Sequence, residues 1–372
     1  MAPVAPSQNG ADPSTAFTRI AHPAPVPAAV RDAALADPGF GKLFSDHMVS
    51  IDWNEPHGWH NAAIGPRRAI ALDPAAAVLH YAQEIFEGLK AYRLADGSNA
   101  LFRPDANARR FNASARRLAM PELPEAVFVA AIRELVAADH DWFPSVAGGS
   151  LYLRPFMIAT EAFLGVRPAK EYKFLVIASP AGNYFKSGAP AVSIWVSDYT
   201  RAAPGGTGEA KCGGNYAASL VPTAEAFARG HDQVLFLDAA EHKWVEELGG
   251  MNLFFVFDDG TMITPPLGGT ILPGITRDSL LTLAAEEGLS LREEPYSIDQ
   301  WRTDAASGRL IETFACGTAA VVTAVGKVAG RDGEFLIGSG GPGQMTERLR
   351  ARLVAIQRGE APDPHGWMMR LD

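Results

Sequence analysis

Five glycines surround a single lysine in the stretch Gly205-Gly206-Thr207-Gly208-Glu209-Ala210-Lys211-Cys212-Gly213-Gly214-Asn215-Tyr216. Glycine lets backbone and a bulky ligand approach closely, and burial near apolar or cationic groups lowers a lysine's pKa toward that of a nucleophilic amine. Such an amine can form a Schiff base with an aldehyde. The chain holds only eight lysines, at 42, 90, 170, 173, 186, 211, 243 and 327, so candidates for this chemistry are few. The glycines do not form a nucleotide loop. A phosphate loop needs glycine before its lysine and Ser or Thr after it, where Ala210 and Cys212 stand, and a dinucleotide fingerprint needs its third glycine where Lys211 stands. On glycine content alone, a flexible surface loop is the competing reading.

The aldehyde cofactor pyridoxal 5'-phosphate needs three partners besides the lysine: a carboxylate for its ring nitrogen, a donor for its ring oxygen and a cradle for its phosphate. The cradle is readable from local physics. Pro273-Gly274-Ile275-Thr276-Arg277-Asp278-Ser279 is a tight turn running into a helix, and the free N–H groups of a helix N-terminus bind anions. Thr276 can cap that helix or donate its hydroxyl.

Lys211-Cys212-Gly213-Gly214-Asn215-Tyr216, Glu247-Leu248-Gly249-Gly250-Met251-Asn252 and Leu272-Pro273-Gly274-Ile275-Thr276-Arg277 resemble signature blocks of the branched-chain amino acid aminotransferases, fold-type IV pyridoxal-phosphate enzymes. Phe86-Glu87-Gly88-Leu89-Lys90-Ala91, Tyr152-Leu153-Arg154-Pro155 and Gly317-Thr318-Ala319 resemble the same family, and the matches run from about Leu79 to Trp367. The resemblance implies a two-domain, mixed α/β (α+β) fold with the cofactor between the domains. It implies that Lys211 bonds the cofactor and carries the proton between the substrate α-carbon and the cofactor. Glu247 then sits at the ring nitrogen, with Glu246 as the competing acid, and Tyr216 donates to the ring oxygen. Arg110, Ile275, Thr276 and Thr318 hold the phosphate; Arg109 is the alternative to Arg110. Phe86, Tyr152, Arg154 and Tyr184 form the substrate pocket, amides of Thr318 and Ala319 take the α-carboxylate, and Tyr81 enters from the partner subunit of a homodimer. An arginine inside the apolar run around Arg154 is costly unless paired.

The implied reaction moves an amino group from leucine, isoleucine or valine to 2-oxoglutarate by a ping-pong route through pyridoxamine phosphate, giving branched 2-oxo acids and L-glutamate. D-amino acid aminotransferase and aminodeoxychorismate lyase share the lysine and the carboxylate; Gly-Gly-Asn-Tyr after Lys211 and Tyr-x-Arg-Pro at 152 to 155 favour the branched-chain group. A nucleotide-phosphate-binding regulator is the rival from another class, and it lacks a complete motif. Eukaryotic members carry Cys-x-x-Cys after Gly-Thr-Ala; Ala320 and Thr323 stand there, so a thiol switch is not expected. Cys316 reads as a small buried apolar residue.

The elements that must position these groups follow from the rest of the sequence. At 372 residues and about 150 residues per domain, two domains are expected. A net charge of -9 opposes a nucleic-acid surface, and no apolar run reaches the roughly 20 residues of a membrane span. Two cysteines rule out a disulfide framework and a four-thiolate site, so no metal is expected and a cytoplasmic setting fits. The expected organisation is a flexible tail over 1–35, a small N-terminal α/β domain over 36–181, a linker over 182–190 and a larger cofactor-binding domain over 191–372. Pro124 to Asp139 has helical apolar spacing, and Ser150 to Ile158 and Tyr172 to Ser179 read as strands. In the second half, strands are expected at 192–197, 234–238, 253–257 and 310–315. Helices are expected from the glycine-rich stretch to Gly230, at 277–288 and at 344–358.

Overall fold

The computed structural model describes residues 16–146, 148–182 and 190–371. Among these residues the chain forms two nine-stranded sheets. In the first, the spatial order is Thr18–Arg19, Gly58–Pro66, His47–Asn54, Glu171–Ala181, Ser150–Ala159, Leu89–Arg93, Asn99–Phe102 and Met368–Arg370, with Glu84–Phe86 paired to Ser150–Ala159. The helices Pro104–Arg117 and Glu125–Ala138 cover one face, where the rings of Phe111, Phe128 and Phe174 meet at 5.4 to 6.0 Å. The second helix was expected over 124–139 because Phe128, Ile132, Leu135 and Val136 recur on one side; all four are buried.

The second sheet runs Val245–Leu248, Gln233–Leu237, Ala191–Val196, Val321–Gly330, Leu310–Gly317, Asn252–Phe257, Thr261–Thr264 and Ser290–Glu293, with Gly333–Leu336 on Val321–Gly330. Every residue of Asn252–Phe257 is buried because helices cover both faces, which is why this strand reads as a continuous apolar run. Ile275–Glu286 and Gln344–Gln357 pack on one face through Leu280, Leu283, Leu349 and Leu353. Ile298–Ser307 covers the other through Trp301, and its start is fixed by a capping box between Ser297 and Gln300. Tyr92, Ala100 and Phe102 of the first sheet share a core with Phe254 and Phe314 of the second, which fixes the two sheets against each other.

Several expectations are corrected. The flexible tail does not extend to residue 35: Thr18 and Arg19 pair with Ala63 and Ile64, and Ala28–Leu35 is a helix anchored by buried Leu35. The helix expected up to Gly230 is two, Gly213–Ala218 and Leu220–Ala228, because Pro222 has no N–H to continue the ladder across Ser219. The helix expected over 277–288 is Ile275–Glu286. The last strand, Met368–Arg370, returns to pair with Asn99–Phe102 of the first sheet, so the C-terminal end of the 191–372 unit is built into the other sheet. Of the expected linker, Gly182 and Pro190 are described and 183–189 lie outside the described residues.

Candidate active site

Phe86 N–H donates to the Lys211 carbonyl at 3.0 Å, and Lys211 N–H donates to Ser114 Oγ at 2.9 Å. These bonds stitch the lysine's backbone to a strand and a helix of the first sheet. Asn215 holds the glycine-rich stretch in shape: its amide donates to the carbonyls of Thr207 (2.7 Å) and Ala210 (2.8 Å), and its carbonyl accepts from Thr207 Oγ1. The Lys211 side chain projects into a cavity of about 180 Å³ between the sheets, where Nζ lies 2.9 Å from Tyr216 Oη and 4.9 Å from the Phe86 ring centre.

The same cavity is lined by Arg110, Glu247, Ile275, Thr276, Thr318, Phe86, Tyr152, Arg154 and Ala319, so residues scattered from 86 to 319 converge on it. In each of the two open choices, one residue lines the cavity and the other does not. Glu247 lines the cavity, whereas Glu246 does not, since adjacent strand residues face opposite ways. Arg110 lines it, whereas Arg109 is exposed and bonded to Asp105 at 2.7 Å. Burial pushes the Glu247 carboxyl up to about 7, even though Arg201 and the Leu272 N–H draw it down. Its carboxylate accepts from Leu272 N–H at 3.2 Å.

Arg110 owes its position to Glu87, a residue that the sequence reading quoted but gave no role. The carboxylate of Glu87, completely buried, accepts Arg110 Nε at 2.7 Å and Nη2 at 2.9 Å, and Arg110 Nη1 donates to the Pro273 carbonyl at 3.0 Å. A guanidinium has five N–H groups, so two remain for an anion. Beside it stands the uncapped N-terminus of Ile275–Glu286, with Gly274 as N-cap. A Cβ on Gly274 would meet Asn252 Oδ1 at 2.0 Å, so a side chain here would displace the carboxamide that donates to the Leu272 carbonyl at 3.1 Å.

Among the described residues, no carboxylate pairs with Arg154. Its Nη2 donates to Tyr152 Oη at 3.2 Å, its guanidinium lies 4.7 Å over the Phe86 ring, and its Nε is buried with no acceptor among the described residues. That leaves a cation at the cavity wall with capacity for an anion. Thr318 and Ala319 sit in the turn between Leu310–Gly317 and Val321–Gly330, where Val321 takes φ 62, a costly conformation for a β-branched residue. Lys90, buried, donates to the Ala319 carbonyl at 2.9 Å.

Tyr81, expected to act across a dimer, does not line this chain's own cavity. Tyr81 ends the short helix Ala77–Tyr81, is partly exposed and donates to the Leu164 carbonyl. Tyr184 lies outside the described residues. The sequence reading missed Phe40, Gly88 and Asn252, which line the cavity; a Cβ on Gly88 would meet Tyr152 Oη at 2.1 Å, so this glycine makes room for the phenol. Gly88 and Asn252 stand inside the quoted motif blocks, which were the signal for them.

An amine with a phenol beside it, a buried carboxylate, a half-engaged arginine and an open helix N-terminus form the donor set that a phosphorylated pyridine aldehyde requires. This is the set of an amino-group transferase built on two joined sheets. Residues 84–328 match the family described as amino-transferase class IV, and the chain belongs to that family. Enzymes of this family use pyridoxal 5'-phosphate. The chain is 58% identical over 361 residues to a branched-chain-amino-acid aminotransferase of Mycolicibacterium smegmatis, covering 96% of this chain and 98% of the relative. It is 59% identical over 343 residues to a probable enzyme of the same name from Streptomyces coelicolor, covering 92% and 94%. Among solved structures, the branched-chain amino acid aminotransferase of Escherichia coli superposes with a TM-score of 0.73 at 28% identity, covering 87% of this chain and 100% of that one. No helix among the described residues is long and apolar enough to cross a membrane.

Proposed function

We propose that the protein transfers the amino group of L-leucine, L-isoleucine or L-valine to 2-oxoglutarate in a ping-pong cycle, yielding branched 2-oxo acids and L-glutamate. The observation that carries this reading is the Lys211 amine 2.9 Å from the Tyr216 phenol, in a cavity that also holds Glu247, Arg110 and Arg154. Near-full-length likeness to branched-chain-amino-acid aminotransferases supports the substrate class.

When bound, pyridoxal 5'-phosphate supplies an electron-accepting ring that stabilises negative charge at the substrate α-carbon. Lys211 would hold the cofactor through its aldehyde carbon, and its amine, when free, would carry a proton to or from the substrate α-carbon. Glu247 keeps the ring nitrogen protonated. Tyr216 donates to the ring oxygen and orients the amine. Arg110, with its two remaining N–H groups, the amides of Ile275 and Thr276 at the helix start, and the Thr318 hydroxyl hold the phosphate.

Phe86 and Tyr152 offer apolar ring faces to an aliphatic side chain, while Arg154 and the Tyr152 phenol receive the second carboxylate of glutamate or 2-oxoglutarate. Amides of Thr318 and Ala319 take the α-carboxylate. Tyr184 completes the pocket. The enzyme acts as a cytoplasmic homodimer in which Tyr81, exposed in a single chain, reaches the partner's site. The cofactor lies in the cavity between the two sheets, where the Lys211 side chain projects.

A donor panel with 2-oxoglutarate as acceptor tests the assignment. L-leucine, L-isoleucine and L-valine are expected to give L-glutamate, with D-alanine inactive. Preference for D-alanine would move the protein to another activity of its family.

A further inference from the structure

Arg201 precedes the glycine-rich stretch and takes no part in the cavity wall. It is nevertheless buried, and its side chain reaches three segments that carry the site. Its Nη2 pairs with Glu247 Oε1 and donates to the carbonyls of Gly208, at 3.0 Å, and Thr270. Gly208 lies just before Lys211 in the chain, and Thr270 lies just before the Pro273 to Thr276 turn. A Cβ on Gly208 would meet Thr270 Cα and O at 2.6 Å, so the two loops approach as closely as glycine allows where Arg201 bridges them.

We propose that Arg201 is a positioning residue that holds the Glu247 carboxylate from behind the cavity and locks to it the loop bearing Lys211 and the loop leading to the phosphate turn. The proposal rests on the reading of Glu247 as partner of the ring nitrogen. Stability alone would not favour this arrangement. Arg201 Nε is buried with no acceptor among the described residues, and an unsatisfied buried donor is a net cost. The cost is offset where one guanidinium nitrogen joins three chain segments that no sheet ladder connects.

The groups around Glu247 are Arg201, Lys211, Glu246, the Asn252 amide, the Leu272 N–H and the Cys316 thiol. Removing the Arg201 cation favours proton retention by its neighbours, so the absorbance titration of bound cofactor should move to higher pH.

The test compares Arg201→Gln, Arg201→Lys and Glu247→Gln with wild type, by equilibrium dialysis of pyridoxal 5'-phosphate and by the pH titration of its absorbance band. For Arg201→Gln, cofactor is expected to bind about tenfold more weakly and the band to titrate about one pH unit higher. Arg201→Lys keeps the charge, but its ammonium sits one bond short of the Nη2 position that meets both carbonyls and the carboxylate, so about a threefold loss with an unmoved band is expected. A band that moves as far in Arg201→Lys as in Arg201→Gln or Glu247→Gln overturns the proposal, as does Arg201→Gln with wild-type band and affinity. If Glu247→Gln itself leaves affinity and band unchanged, the reading of Glu247 falls; if it changes both and Arg201→Gln changes neither, only the role of Arg201 falls. Should Arg201→Gln fail to fold, the Arg201→Lys band still decides.

Discussion

Glu87→Gln removes the charge that holds Arg110. In the wild type, the buried carboxylate accepts four bonds: Arg110 Nε at 2.7 Å, Arg110 Nη2 at 2.9 Å, Asn107 Nδ2 at 2.7 Å and the Gly88 N–H at 3.1 Å. Glutamine keeps one carbonyl acceptor and turns an NH₂ toward donors. One of the two arginine bonds is lost outright, and the guanidinium is left buried without a counter-charge. Breaking a buried pair on one side costs about 3–5 kcal/mol. Two charge-assisted bonds at roughly 1.5–3 kcal/mol each give a similar figure. For a unit of this size, about 4 kcal/mol lowers Tm by about 10 °C. Burial alone would raise the Glu87 carboxyl, but Arg110 and Asn107 outweigh it and hold the group below its ordinary value of 4.5. A lowered carboxyl contributes stability above its unfolded pKa and loses it as pH falls. The gap between wild type and Glu87→Gln should therefore be full at pH 7 and close on acidification below about 4.5. Thermal and urea unfolding of the cofactor-free protein at pH 7 and pH 4 measure it. A difference under about 1 kcal/mol at pH 7 would refute the claim that this pair anchors Arg110.

Glu247, raised to about 7, binds a proton in the folded state that the unfolded chain releases near 4.5. The stability of cofactor-free wild type relative to Glu247→Gln should accordingly fall as pH rises from 4.5 to 7, read by Tm across that range. Burial, and then Arg358, lowers Lys90 to about 8 from 10.5, so the unfolded chain holds the extra proton between those values. Wild type should gain stability over Lys90→Met as pH rises from 8 to 10.5, by up to about 3 kcal/mol. Gly274→Ala would place a methyl against Asn252 Oδ1 and open the turn at the helix start; at least a tenfold weaker retention of pyridoxal 5'-phosphate in dialysis is expected.

How far the sequence spoke depends on the kind of signal. Periodicity located the helix Glu125–Ala138 and the strands Ser150–Ala159 and Glu171–Ala181 within a few residues, because their apolar faces meet one continuous core. It could not foresee Thr18–Arg19 or Met368–Arg370, whose two or three residues are held by strands far away in the chain. The cavity residues were legible as motif blocks. Their supports were not: Glu87 and Arg201 act through partners 23 and 46 residues away, and a charged residue in an apolar stretch does not announce which charge it meets. Tyr81 is legible only as an expectation, since a single chain leaves it at the surface.

Incubation with pyridoxal 5'-phosphate, reduction with borohydride and mass mapping of the digested protein test the central claim that Lys211 holds the cofactor. A phosphopyridoxyl group confined to the peptide bearing Lys211, and absent from Lys211→Ala, is the result this account predicts. Label on another lysine, or no label in a protein that still transaminates, would contradict it.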